Sequence, residues 1–113
     1  SAYGGGLFLD ASLGNSPTIR GCTFTNNAAN FGGGAIYIVG GTITIDRCFF
    51  FGNRISGSSG TGGAIGLGVV VGADLTLTNC VFAQNFTLSA AGGGAISANS
   101  GAMLKVYSST FYN

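Results

Sequence analysis

The chain is 113 residues long, which bounds it to a single domain. Charged residues make up only 6% of it, against about 25% in an average globular domain, and its net charge is +1. Four Lys and Arg residues, spread along the chain, are too few to neutralise a phosphate backbone, so we expect no nucleic-acid partner. An apolar content of 46% excludes an intrinsically disordered chain.

In chain order, each repeat of the sequence opens on a Gly-Gly pair. The four copies are Gly-Gly-Gly-Leu at 4–7 and Gly-Gly-Ala-Ile at 33–36, 62–65 and 93–96. Successive pairs lie 29, 29 and 31 residues apart. The stretch behind each pair predicts a short strand, as at 35–39, where Ile36 and Ile38 share one face.

Each repeat then closes on the motif apolar-x-apolar-x-x-Cys/Ser-x-Phe-x-x-Asn. The copies lie at 17–27, 43–53, 75–85 and 104–113, and the fourth is one residue short of its Asn. The spacing of two between the apolar positions predicts a strand, and the two-residue step before the Cys predicts a corner. The Cys and the Phe resume the inward phase and predict a further strand.

Three short strands and three corners in about 29 residues predict an all-β fold, a parallel β-helix of about four coils. The coils cover approximately residues 4–32, 33–61, 62–92 and 93–113 of one repeat domain. In such a solenoid, equivalent positions lie about 4.8 Å apart and touch, so the same residue type recurs at the same phase. The alternative, a β-sandwich of Gly-rich hairpins, would not require that recurrence.

The repeated positions then acquire structural roles. The inward Phe predicts an interior aromatic stack, formed by Phe24, Phe50, Phe82 and Phe111. Beside it we expect a row of small buried side chains, formed by Cys22, Cys48, Cys80 and Ser109. The motif Asn is expected at a corner, in left-handed backbone and with amides bonded from coil to coil, at Asn27, Asn53 and Asn85. The Gly-Gly pairs are expected where φ is positive or where a Cβ would clash.

Gly-Gly-Ala-Ile and Phe-x-x-Asn, alternating along almost the whole chain, resemble the repeats of the chlamydial polymorphic outer membrane proteins. That resemblance implies a right-handed, single-stranded parallel β-helix on a cell surface, acting in adhesion or as a structural spacer. In that family the repeats form the exported passenger of an autotransporter. No membrane barrel is visible in this chain. Its most apolar run, 64–73, is far shorter than a membrane span and is interrupted by glycine, so we expect no membrane insertion by this segment.

Sites for chemistry are sparse in the sequence. The three cysteines are expected to be inert thiols, with one disulfide as the alternative and a metal site disfavoured by intervals of 26 and 32 residues and the absence of His. The carboxylates Asp46 and Asp74 lie on opposite sides of their strand pairs and do not stack. We therefore expect no catalytic residues, no cofactor and no enzyme activity. Asn85 opens a glycosylation sequon, but its place in the repeat favours a structural role.

Two sets of surface residues are compatible with a binding function. Thr18, Thr44 and Thr76 share one outward position, which Lys105 interrupts; such a row is compatible with ice binding, although Thr is a common outward residue in strands. The four tyrosines could stack on sugars, but they do not share a repeat position.

No polar capping segment is evident at either end of the array. Two explanations are open: neighbouring repeats of a longer chain, or head-to-tail stacking in which Phe111 continues onto another copy's first coil. The sequence thus predicts a non-enzymatic, extracellular or cell-surface structural or adhesive β-helix within a fibre, stalk or filament. The alternative is a carbohydrate-binding or carbohydrate-processing module with surface glycans as partners.

Overall fold

The computed structural model describes residues 4–14, 16–58, 60–68, 73–90, 92–98 and 101–112. These residues form short β-strands and no helix. In chain order the strands are β1 (Leu7–Leu9), β2 (Thr18–Arg20), β3 (Thr23–Thr25), β4 (Ala28–Ala29), β5 (Ile36–Ile38), β6 (Gly41–Asp46), β7 (Phe49–Phe51), β8 (Arg54–Ile55), β9 (Ile65–Leu67), β10 (Ala73–Thr78), β11 (Val81–Ala83), β12 (Phe86–Thr87), β13 (Ile96–Ala98), β14 (Met103–Tyr107) and β15 (Thr110–Tyr112).

The strands assemble into four parallel sheets, in which neighbouring strands come from successive turns of the chain. Sheet 1 has the order β1-β5-β9-β13, sheet 2 the order β2-β6-β10-β14, and sheet 3 the order β3-β7-β11-β15. Sheet 4 has the order β4-β8-β12. Three turns therefore contribute to all four sheets, and the described part of a fourth turn contributes to three. This architecture is the predicted parallel β-helix.

The fourth sheet is a difference from the sequence analysis, which placed three strands in each turn. Its strands β4, β8 and β12 directly follow the motif Asn and are two residues long. Two residues cannot display an alternating pattern, so hydrophobic periodicity gives no signal there. The adjacent turn defines these strands instead, because each pairs in parallel with its equivalent one turn away.

The turns stack in register, so residues at one motif position meet each other. Ile43 pairs with Leu75, which in turn pairs with Leu104, and Phe50 lies between Phe24 and Phe82. The inward residues of the middle turns are almost inaccessible to solvent, as Ile43 is 0% exposed and Leu75 1%. One continuous apolar core runs along the axis and supplies the main stabilising burial.

Left-handed backbone recurs at two corners, the first in all four turns and the second in the first three. The first lies directly before the motif Cys or Ser, at Gly21, Arg47, Asn79 and Ser108, with φ of 65°, 53°, 54° and 48°. The second lies directly before the motif Asn, at Asn26, Gly52 and Gln84, with φ of 55°, 65° and 55°. The expectation that Asn27, Asn53 and Asn85 themselves take this conformation is wrong. The preceding residue turns the chain, which aims the Asn side chain inward.

The Gly-Gly pairs are required by close approach. Neither Gly33 nor Gly34 has a positive φ, but a Cβ on Gly33 would overlap the carbonyl oxygen of Ile36 in its own turn. A Cβ on Gly34 would overlap the carbonyl oxygen of Gly63 in the next turn and lie 2.6 Å from the backbone nitrogen of Arg54. The pair therefore lets strands of one turn and of its neighbour pass close together.

Candidate functional site

The four motif phenylalanines form one column of rings along the axis. Their centroids are 4.9 Å apart between Phe24 and Phe50, 4.5 Å between Phe50 and Phe82, and 4.6 Å between Phe82 and Phe111. The planes are within 6° of parallel. Phe50 and Phe82 are 0% and 1% exposed, whereas Phe111 is 44% exposed. The column thus presents an accessible aromatic face at its C-terminal end.

The motif asparagines form a hydrogen-bonded ladder beside the rings. Asn27 donates its backbone N–H and its Nδ2 to Oδ1 of Asn53, both at 3.0 Å. Asn53 donates the same two groups to Oδ1 of Asn85, both at 2.9 Å. The amides of Asn53 and Asn85 also donate to the carbonyls of Phe24 and Phe50. Each rung therefore joins one turn to its neighbours through its side chain.

This ladder occupies the amide of the only sequon. Asn85 is 6% exposed, and its Nδ2 lies 3.0 Å from the carbonyl oxygen of Phe50. A glycan on that nitrogen would have to displace the rung and open the turn. The buried geometry supports a structural role for Asn85.

The cysteine row divides into an exposed and a buried part. All three thiols are free. Cys48 and Cys80 are buried and donate to backbone carbonyls, whereas Cys22 is exposed because it belongs to the first turn. The expectation that Cys22 is buried is therefore wrong. Burial raises the pKa of the Cys48 and Cys80 thiols, which keeps both protonated and unreactive near neutral pH.

One acidic side chain, that of Asp46, connects three adjacent turns on the outer face of sheet 2. Asp46 accepts from the Thr78 hydroxyl at 2.7 Å and from the Arg20 guanidinium at 3.1 Å, and Arg47 lies 3.7 Å away. The Thr78 hydrogen bond, together with Arg20, holds the pKa of Asp46 below its ordinary value, although burial acts to raise it. This cluster was not predicted from the sequence. The signal available was that Arg20, Asp46 and Thr78 share one motif position.

The fourth turn has an open face. Its inward residues Leu104 and Val106 are 36% and 41% exposed, whereas their equivalents Leu75 and Leu77, one turn earlier, are 1% and 0%. These side chains point toward the core, but among the described residues only the third turn covers them. The result is an apolar end composed of Leu104, Val106 and Phe111.

A cavity of about 190 Å³ lies beside this open face, next to the asparagine ladder. Its lining residues are Phe82, Asn85, Gly94, Ala95, Phe111 and Tyr112. In each of the first three turns, the equivalent region holds the motif Asn and a strand of sheet 4. The cavity thus lies where the regular wall of the solenoid would continue.

The outer face of sheet 3 carries an aromatic pair that the sequence analysis did not single out. The rings of Phe49 and Phe51 lie on one face of β7, with centroids 6.0 Å apart and planes 14° from parallel. Phe49 is 37% exposed. Of the tyrosines, Tyr107 and Tyr112 are exposed at unrelated positions, and Tyr3 lies outside the described residues.

The threonine row runs across sheet 2 as the sequence places it. Thr18 pairs with Thr44, Thr44 with Thr76, and Thr76 with Lys105. The neighbouring outward rows contain Arg20, Asp46 and Asp74 in place of a second regular set of hydroxyls. A charged and irregular surface is a poor template for ice.

Acidic and metal-binding side chains are dispersed in the part of the chain that the structure describes. Within those residues, no three His, Cys, Asp or Glu side chains are close enough to hold a metal ion. Asp74 pairs with Thr42 and not with Asp46, as expected from its place in the repeat. Nowhere in the described ranges does a helix reach the length and apolar character needed to cross a membrane.

Comparison with known families agrees with the stacked parallel sheets. The family described as right handed beta helix region matches residues 1–113, the whole chain. The chain belongs to the right-handed β-helix family. No curated protein and no solved structure is significantly similar to this β-helix. The family fixes the architecture and the hand of the coil, and leaves the function to be argued from the exposed features of the β-helix itself.

Proposed function

We propose that this β-helix is a non-enzymatic structural element of the extracellular space or the cell surface, where it forms part of a fibre, stalk or adhesive filament by head-to-tail stacking. The observation that carries the proposal is the open fourth turn. Leu104, Val106 and Phe111 are arranged like buried core residues, yet each is at least 36% exposed. Covering such an apolar surface is favourable at about 25 cal/mol per Å².

The first turn of a second copy has a matching arrangement. Its inward residues Leu7, Ile19 and Phe24 lie at the same motif positions as Ile96, Val106 and Phe111. Every interface between adjacent turns within the chain pairs these same positions in parallel and in register. A fourth turn against a first turn would therefore repeat an arrangement that the chain already uses, and repeated contacts of this kind generate a filament.

The surface charge supports association as well. With a net charge of +1, the chain has little long-range repulsion between copies. The exposed backbone edges of β14 and β15 also offer hydrogen-bonding groups to an incoming parallel strand.

The experiment is light scattering over a range of protein concentrations, comparing Val106→Lys with Met103→Lys. Both residues lie on β14, but Val106 has the inward phase and Met103 the outward phase. We expect the wild type and Met103→Lys to grow in mass with concentration, and Val106→Lys to remain smaller. A monomeric wild type at millimolar concentration, or equal growth of both variants, would contradict the proposal.

A second candidate is carbohydrate binding, which the Phe49 and Phe51 pair favours because exposed aromatic rings can pack on the apolar faces of sugars. A glycan array with the wild type and Phe49→Ala separates this function from a purely structural one. Glycan signals that Phe49→Ala abolishes would support binding at sheet 3. Signals that persist in this variant, or an array without signals, would remove sheet 3 as a sugar site.

A further inference from the structure

We propose that the three cysteines form a redox-sensitive row in which Cys48 shares one disulfide between two positions, bonded either to Cys22 in the first turn or to Cys80 in the third. All three thiols are free in the structure. The oxidant is a low-molecular-weight disulfide, as found in oxidising extracellular surroundings. The inference does not rest on head-to-tail stacking, because all three cysteines belong to one chain.

Neighbouring cysteines of the row lie in register on adjacent turns. Each lies between the same two sheets, two residues after a paired position of sheet 2 and one residue before a paired position of sheet 3. The Phe49 N–H donates to the Cys22 carbonyl at 2.9 Å, and the Val81 N–H donates to the Cys48 carbonyl at 3.0 Å. In-register Cα atoms of parallel neighbours are about 4.8 Å apart, within the range of about 4.4–6.8 Å that disulfides span.

The three sulfur atoms point the same way. Each thiol donates to the carbonyl two residues earlier in its own turn, at 3.5 Å for Cys22, 3.4 Å for Cys48 and 3.3 Å for Cys80. The sulfur of Cys48 also lies 3.7 Å from the Ile19 carbonyl oxygen, and that of Cys80 lies 3.5 Å from the Ile45 carbonyl oxygen. Both sulfurs thus contact the preceding turn directly, and the row runs parallel to the axis.

Cys48 is the central member of the row and limits it to one bond. Cys22 and Cys80 lie two turns apart, about 9.6 Å by the same spacing, which is beyond the reach of a disulfide. One sulfur holds only one disulfide partner, so the oxidised chain retains one free thiol. That thiol lies next to the Cys48 sulfur, in the turn on its other side.

The bond forms in two exchange steps. The thiolate of an end cysteine, such as Cys22, attacks one sulfur of the small disulfide, which leaves a mixed disulfide on the protein and releases one small thiolate. The Cys48 thiolate then attacks the Cys22 sulfur, forms the bond between the two turns and releases the second small thiolate. The two protein thiols lose two protons and two electrons, which reduce the small disulfide to two thiols.

The bond then shifts by one turn without further oxidant. The Cys80 thiolate attacks the Cys48 sulfur, and Cys22 leaves as a thiolate that takes up the proton lost by Cys80. Such an attack requires three sulfurs nearly in line, and the row supplies that arrangement. Burial raises the pKa of Cys48 and Cys80, which makes their thiolates scarce, but reaction between neighbours held in adjacent turns benefits from a high effective concentration.

The same geometry makes the bond easy to reduce. Because the side chains point in one direction, the sulfurs must be drawn from the turn spacing of about 4.8 Å to a bond length of about 2.05 Å. Strained disulfides have higher reduction potentials than relaxed ones and are the labile ones. While formed, the bond joins two adjacent turns covalently, and small thiols release it again.

The test is oxidation of the full chain by oxidised glutathione, at a concentration where the chain is monomeric. The remaining thiols are blocked in acid, and the disulfide-linked peptides are mapped by mass spectrometry without reduction. We expect one internal disulfide and one blocked thiol per chain, with Cys48 in every disulfide and both Cys22 and Cys80 among its partners. Glutathione adducts without an internal disulfide, or a single fixed partner for Cys48, would overturn the proposal.

The shift of the bond has its own measurement. The two oxidised forms are separated in acid, and each is returned to neutral pH without oxidant. Each should regenerate the same mixture of both forms, because the free thiol exchanges with the bond. Forms that stay separate over days would contradict sharing. Reduced glutathione, added to the folded oxidised chain, should restore three free thiols, and a bond that survives until denaturation would contradict a redox-sensitive row.

Serine variants are matched controls that the fold tolerates. Ser109 already holds the equivalent position in the fourth turn, where its hydroxyl donates to the Tyr107 carbonyl at 2.9 Å. Cys48→Ser keeps two thiols but should form no internal disulfide, whereas Cys80→Ser also keeps two thiols and should form one. An internal disulfide in Cys48→Ser, or none in Cys80→Ser, would overturn the central role of Cys48.

Discussion

Gly34 and Gly94 occupy the same motif position two turns apart, yet the space around them differs completely. A Cβ on Gly34 would overlap the carbonyl oxygen of Gly63, whereas on Gly94 its nearest neighbour among the described residues would be the carbonyl oxygen of Asn85, 3.7 Å away. The same motif glycine is thus closely packed against backbone inside the array, whereas the described residues leave space beside it in the fourth turn.

This contrast predicts different consequences for one substitution. We expect Gly34→Ala to reduce the free energy of unfolding by at least about 2 kcal/mol, because the neighbouring backbone must move to admit a methyl group. Gly94→Ala should change it by less than about 0.5 kcal/mol, as is usual for an uncrowded surface position. Chemical denaturation of both variants measures the difference, and similar losses would show that the fourth turn is covered.

The aromatic column predicts a gradient of stability along the axis. Phe50→Ala should cost about 3–5 kcal/mol, because it removes a fully buried ring from between two others. Phe111→Ala should cost distinctly less, since its ring stacks on Phe82 alone among the described aromatic side chains and is 44% exposed. Urea unfolding provides the values. A cost below about 1 kcal/mol for Phe50→Ala would contradict the inward phase of the motif.

Asp46 predicts a loss of stability in acid. Its folded pKa lies below the ordinary value of 3.8 because of Thr78 and Arg20. Its contribution is therefore complete above about pH 4 and is lost as the pH falls through the folded pKa. Thermal midpoints measured between about pH 6 and pH 2 should fall more for the wild type than for Asp46→Asn. Asp10, whose pKa Ser12 lowers, leaves a residual slope in the variant. Parallel curves would show that Asp46 has no linkage to folding.

The thiols predict selective labelling. Cys22 is exposed and free, whereas burial raises the pKa of Cys48 and Cys80. A disulfide reagent at neutral pH should modify one thiol per native chain within minutes and all three after denaturation. The variant Cys22→Ser should remove the fast phase. Rapid modification of Cys80 in that variant would mean that the core between sheets 2 and 3 opens readily.

The repeats made the register of the fold predictable from the sequence. Phe24, Phe50 and Phe82 recur at one phase, and only parallel in-register stacking brings such residues into contact. Features without a periodic signal were missed. The strands of sheet 4 are too short to alternate, and the left-handed corner depends on which of two adjacent residues turns the chain. Asn26 and Asn27 are chemically identical, so composition alone could not decide between them.

The surroundings of Gly94 could not be predicted from the sequence either. Gly94 has the same motif context as the other glycines, and only the structure shows that the described residues leave space beside it. Phe49 and Phe51 flank the inward Phe50, and in the sequence the three residues form one continuous apolar run. The strand geometry separates them from Phe50 and places them on the outside of sheet 3.

Cryo-electron microscopy of the concentrated chain tests most directly the claim that open turns stack head to tail. Head-to-tail stacking predicts filaments with a layer spacing of about 4.8 Å, and with a subunit repeat of about 19 Å that corresponds to four turns. Val106→Lys should abolish these filaments and Met103→Lys should preserve them. Discrete single copies at millimolar concentration, or filaments whose repeat is unrelated to four turns, would contradict head-to-tail stacking.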